Sequence, residues 1–82
     1  MPNISTMTGD ELRNARHALG LSTSEFADFV SVSDARSVRR WEDNTRDIPG
    51  PVEVLVRAVL KSPAVRKYFG LTLKADIEDR VQ

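Results

Sequence analysis

The chain has 82 residues, 40% of them apolar, which supports one small domain with a modest core. It contains no Cys, which excludes a disulfide framework, a Cys-based zinc cluster and a thiol nucleophile. Twelve basic residues balance twelve acidic ones and the pI is near 6.6, a balance that weighs against a coat protein binding nucleic acid without regard to sequence.

The charge is unevenly spread. Residues 1–50 hold six Arg and no Lys against eight Asp or Glu, and four of those six Arg fall between positions 36 and 46. Screening shortens electrostatic reach to about 8 Å at physiological salt, so a local cluster outweighs a neutral total at contact range. No run of about 18 apolar residues occurs, so no membrane partner is expected. The N-terminal stretch MPNISTMTGDE lacks the basic and apolar regions of a signal peptide, so a cytoplasmic chain is the expectation.

Residues 1–7 read as a flexible arm. Thr8 to Glu11 then forms a capping box, in which Thr8 caps the Glu11 amide and Glu11 reaches back to the Thr8 amide. Helix 1 is predicted from Gly9 to Leu19, with Leu12, Ala15 and Leu19 as its buried stripe and Gly20 as a left-handed stop. A second capping box, Ser22 to Glu25, follows at once and starts helix 2, predicted from Thr23 to Val30. Phe26 and Val30 lie four apart with Ala27 beside them; Phe26 reads as core and Phe29 as a packing boundary.

Residues 31–33 form a turn. Helix 3 is predicted from Asp34 or Ala35 to Asp43, with Asp34 as the N-cap. Val38 and Trp41 lie three apart and share an inward face; Arg36, Arg39 and Arg40 fall on the others. Two readings of that pattern stand side by side. The arginines are a solvated surface paired with Asp28, Asp34 or Glu42, or they are guanidiniums that fork onto guanine or clamp phosphate in a duplex.

Residues 44–50, NTRDIPG, form a loop rich in turn formers. Helix 4 is predicted from Pro51 to Lys61, with Pro51 at its first position and Val52, Leu55, Val56, Val59 and Leu60 as a broad apolar face. Ser62 caps helix 5, predicted from Pro63 to Phe69 and stopped by Gly70. The tail reads two ways: Leu71 and Leu73 alternate like a strand, while Ile77 and Val81 are spaced like a helix. The expected organisation is an arm over residues 1–7, one helical domain over 8–70 and an extension over 71–82 that serves dimerisation.

Helices 2 and 3, joined by a tight turn, read as a helix-turn-helix. Such a pair needs a small residue at its crossing, supplied by Ala27, and a branched apolar residue against it, supplied by Val38. Ser22, Thr23 and Ser24 at the head of helix 2 offer hydroxyls and amides to a phosphate.

The stretches ELRNARHALGLSTSEFA and VRRWEDN resemble the lambda-repressor-like, or XRE-type, helix-turn-helix family over about Asp10 to Leu60. The longer string VRRWEDNTRDIPGPVEVLVR looks like a subgroup of short bacterial and phage regulators. The resemblance implies an all-α, five-helix domain with helix 3 as recognition helix. It also implies a pair between Arg16 and Glu42, and phosphate contacts from the head of helix 2 and from Asn44, Thr45 and Arg46. Arg39 and Arg40 are the first expected DNA contacts, followed by Arg36 and Ser37. Three positions depart from the family pattern. Thr23 stands where Gln is usual, Ser31 where Gly is usual, and the segment from Val32 to Val38 is one residue longer, with Asp34 as the added residue or displaced cap.

An enzyme is not expected. His17 is the single imidazole and has no evident nucleophile or second ligand beside it; no Gly-rich phosphate loop occurs, and neither a cofactor nor a metal is expected. A single recognition helix covers a half-site, so a homodimer on a near-palindromic double-stranded operator is expected, acting as a repressor by promoter occupancy. Its interface is expected at Val65, Tyr68, Phe69, Leu71, Leu73 and Ile77, with closure of the monomer core by Phe69 and Leu71 as the competing reading. An antitoxin that also binds a toxin, or a phage regulator of a counter-defence operon, are the alternatives.

Overall fold

The computed structural model describes residues 7–32 and 34–75. Among these the chain is all helical, with five helices and no strand: α1 (Gly9–Ala18), α2 (Thr23–Phe29), α3 (Ala35–Glu42), α4 (Gly50–Lys61) and α5 (Pro63–Phe69).

Local chemistry sets the helix ends. Thr8 Oγ1 accepts from the Glu11 amide at 3.1 Å while the Thr8 amide donates to Glu11 Oε1 at 2.8 Å, so both halves of the first capping box form. The second forms in the same way: Ser22 Oγ accepts from the Glu25 amide and the Ser22 amide donates to Glu25 Oε1. Asp34 Oδ1 accepts from the Arg36 amide at 2.8 Å and caps α3. Gly20 and Gly70 stop α1 and α5 at φ values of 70° and 72°. Leu19 and Val30, expected as last helical residues, are the C-caps of α1 and α2.

Three expectations need correction. Met7 does not belong to an arm: it is buried, and its amide donates to Glu53 on α4 at 3.1 Å. The reason is a hydrophobic staple, in which the residue before the N-cap joins the fourth helical residue, here Leu12, in one buried cluster. Second, α4 begins at Gly50 rather than Pro51, with Pro49 as N-cap. A residue before Pro is normally pushed out of the helical region by its own Cβ, and Gly50 has none. Third, the buried face of α4 is Val52, Val56 and Val59, and Leu55 and Leu60 stay half-buried.

The core gathers Leu12 and Ala15 of α1, Phe26 and Ala27 of α2, Val38 and Trp41 of α3, Ile48 of the following loop and Val52 and Val56 of α4. α3 packs on both α2 and α1, and α4 packs on α1 and α5. The last described residues, 74 and 75, are helical; Ile77 and Val81 lie outside the described residues. No described helix is long and apolar enough to cross a membrane.

Candidate nucleic-acid interface

The inner face of α3 is fixed from two sides. Val38 is fully buried and Trp41 is 5% exposed, as their spacing predicts. Glu42, also 5% exposed, takes a forked pair from α1: Arg16 Nε donates to Oε2 at 2.6 Å and Arg16 Nη2 to Oε1 at 3.0 Å. The third nitrogen of the fork, Nη1, donates to the Leu21 carbonyl at 3.1 Å, so one guanidinium joins α3 to the turn that leads into α2. Arg13 also belongs to this junction. Its Nε lies 3.6 Å from Glu42 Oε1 and its Nη2 donates to the Glu42 carbonyl at 3.4 Å. Sequence separation hid this, because the partners lie 29 positions apart.

α1 and α3 meet closely enough to require a glycine. A Cβ on Gly9 would collide with the Glu42 carbonyl and sit 2.7 Å from that of Trp41. The Gly9 amide donates to Asn44 Oδ1 at 3.1 Å, and Asn44 itself is left-handed, at φ 66°. Asn44, expected on phosphate, thus spends its side-chain oxygen on α1, although its NH2 group still has two donors.

The outer face is built differently. Arg36, Arg39 and Arg40 lie at i, i+3 and i+4 and therefore point the same way, opposite Val38 and Trp41. All three are exposed. Arg36 Nη2 lies 3.3 Å from Asp34 Oδ2, the pairing that the solvated reading anticipates. Arg39, Arg40 and Arg46 make no side-chain hydrogen bond or ion pair within 4.0 Å among the described residues, so the outer face is only partly neutralised. The loop folds back beneath it: the Arg40 carbonyl accepts from the amides of Thr45 at 2.9 Å and Arg46 at 3.1 Å. Arg39, Arg40 and Arg46 therefore cluster near the carbonyl end of α3, where the helix dipole favours cations.

Two carboxylates bracket these arginines and both stay ionised. The Asp34 carboxyl is held below its usual range chiefly by the Arg36 amide, with the Arg36 guanidinium adding to it. The Asp43 carboxyl is lowered chiefly by the Thr45 hydroxyl and then by the Thr45 amide. Ser37 and Thr23 are half-buried, while Ser22 and Ser24 are exposed at the head of α2. Ser22 Oγ already accepts the cap bond, which leaves its O–H free to turn toward an anion.

The turn between α2 and α3 carries its own adaptation. Ser31 stands at φ 63°, a left-handed position that favours glycine, and the Val32 amide donates back to the Ala27 carbonyl at 3.0 Å.

At the far end of the fold, Phe29 packs edge-on against Phe26 with ring centres 5.9 Å apart and against Phe69 at 5.3 Å. Phe69 therefore helps to close the monomer while remaining 41% exposed, and Tyr68 beside it is 84% exposed. Val65, Leu71 and Leu73 are half-buried, and Ile77 falls outside the described residues. Arg66, unremarked in the sequence, is 8% exposed and donates to the Val59 and Leu60 carbonyls at 2.8 and 2.9 Å, capping the end of α4. A basic side chain near a helix C-terminus can bond the orphaned carbonyls there, and Arg66 does so from α5.

Comparison with known proteins finds no matching family model, no matching curated protein and no matching solved structure.

Proposed function

We propose that this chain is a sequence-specific double-stranded DNA-binding regulator of the lambda-repressor-like, XRE-type helix-turn-helix kind. α2 and α3 form the motif and α3 enters the major groove. The observation that carries the reading is the two-sidedness of α3. Its inner face is buried and tied to α1 through Glu42, while its outer face presents Arg39 and Arg40 with no side-chain hydrogen bond or ion pair within 4.0 Å among the described residues. A guanidinium held on a rigid helix and left unpaired suits guanine edges and phosphates. Arg46, Thr45, the Asn44 NH2 group and the hydroxyls of Ser22, Thr23 and Ser24 supply the backbone contacts that set register.

In this reading the protein acts in the cytoplasm as a homodimeric repressor, occupying a near-palindromic operator so that polymerase cannot enter. The exposed Tyr68 and the half-exposed Phe69 at the end of α5 support a second copy as the partner of that end.

The test is selection of bound sequences from a random duplex pool at physiological salt. The expected result is an inverted repeat with half-sites about one helical turn apart. Enrichment of no sequence by the folded protein would remove the reading. With about five phosphates neutralised per monomer, the log–log salt slope on the selected site should be near −9. Arg39→Ala or Arg40→Ala should each cost about 1–3 kcal/mol on that site if the residue reads a base. Equal losses on random duplex would assign it to phosphate.

A further inference from the structure

The head of α3 carries a group that a purely phosphate-binding face would not. Asp34 stands there with its side chain 45% exposed. Its Oδ1 accepts from the Arg36 amide and its Oδ2 faces Arg36 Nη2 at 3.3 Å. Each carboxylate oxygen has two lone pairs, so both retain acceptor capacity. Asp43, at the other end of the helix, has Oδ1 turned into the loop toward the Thr45 amide at 2.9 Å. The two ends of the arginine face are therefore unequal. The trailing end gathers Arg39, Arg40 and Arg46, and the leading end presents a carboxylate joined to one arginine.

A carboxylate within the screening length of several phosphates is repelled by all of them. If α3 lies in a major groove, as proposed above, its leading end belongs over base edges and its trailing end against the backbone. In the major groove the only hydrogen-bond donors are the cytosine 4-amino and adenine 6-amino groups, and an acceptor-only carboxylate matches cytosine. Arg36, with one nitrogen engaged by Asp34, keeps N–H groups for the O6 and N7 of a guanine. We infer that Asp34 is a specificity-determining residue: it accepts from the 4-amino group of a cytosine, positions Arg36 over an adjacent guanine, and discriminates against duplexes that lack the donor. This inference rests on the DNA-binding reading.

The experiment repeats the selection with the full chain carrying Asp34→Asn and, separately, Asp34→Ser. Both replacements keep a side-chain oxygen for the cap of α3, and thermal melting checks that each variant folds. The wild type should show cytosine at one position of each half-site. Asp34→Asn should move that position toward adenine, which an amide reads in two hydrogen bonds, and Asp34→Ser should leave it undefined. Preference for cytosine there should fall roughly fivefold or more and preference for the adjacent guanine should weaken, with the remaining positions of the half-site unchanged. Both variants should also bind random duplex more tightly, because a repelling charge is gone. The same preferred sequence from all three proteins, or losses spread over every position, would overturn the inference and leave the DNA reading standing. A wild type that enriches nothing would overturn both.

Discussion

The α1–α3 junction and the end of α5 are made in opposite ways. At the junction space is scarce and polar groups are matched: Gly9 admits the α3 carbonyls, Arg16 forks onto Glu42, and Asn44 closes onto the Gly9 amide. At the end of α5 space is open and the surface is apolar: Tyr68 stands almost free and Phe69 meets the rest of the fold through the edge of Phe29. The first arrangement holds α3 at one angle. The second leaves aromatic area exposed among the described residues.

Glu42 offers the harshest way to break that contrast. Glu42→Ala leaves the Arg16 guanidinium, 12% exposed, without its carboxylate in a site with little water. Removing one partner of such a pair costs about 3–5 kcal/mol, a large share of a small domain's stability. Urea unfolding should show the midpoint falling steeply. A loss below about 1 kcal/mol would mean that the pair is ornamental and that apolar packing alone sets the junction.

Gly9 comes next. Gly9→Ala puts a methyl group against two α3 carbonyls, which are backbone and cannot swing aside. Overpacking of this kind costs about 1–3 kcal/mol, and the melting temperature should fall accordingly. A variant as stable as the wild type would show that α1 slides freely past α3.

The end of α5 should respond the other way. Tyr68→Ser changes an exposed ring and should leave monomer stability within about 0.5 kcal/mol. Phe69→Ser should cost more, because it strips the edge contact from Phe29. If the aromatic pair is a dimer surface, Tyr68→Ser should raise the dimer dissociation constant in sedimentation while melting stays put. Matching losses of stability in the two variants would erase the distinction between the regions.

Much of the helical framework could be read from the sequence alone. Two capping boxes, the stops at Gly20 and Gly70 and the Val38–Trp41 spacing follow from rules that operate within one turn of helix. What could not be read involves partners far apart in sequence or a backbone state that a side chain does not announce. Arg13 reads as a surface residue because Glu42 is 29 positions away. Asn44 reads as a loop donor because its left-handed φ, which turns its oxygen onto Gly9, depends on how α3 ends. Met7 lies outside the helical period of α1 and is recovered only through the staple with Leu12. The arginines show the limit most plainly: periodicity puts three on one face, but how each is neutralised depends on Asp34, which pairs with Arg36, and on Asp43, which feels the charge of Arg40.

The smallest expected effect concerns the clasp from Met7 to α4, a lighter version of the α1–α3 junction. Glu53 accepts from the Met7 amide and from Arg57 Nε at 2.9 Å, and the Met7 amide is the leading cause that lowers its carboxyl below the ordinary 4.5. A carboxyl lowered on folding stabilises the fold fully above its unfolded value. That contribution fades as pH drops through the folded value, because the folded chain must then bind a proton it resists. Wild type and Glu53→Gln should therefore differ in melting temperature at neutral pH, and the gap should narrow on acidification below about pH 4.5. The sign is what matters. A gap that widened toward low pH would mean that the protonated carboxyl, rather than the carboxylate, holds Met7 in place.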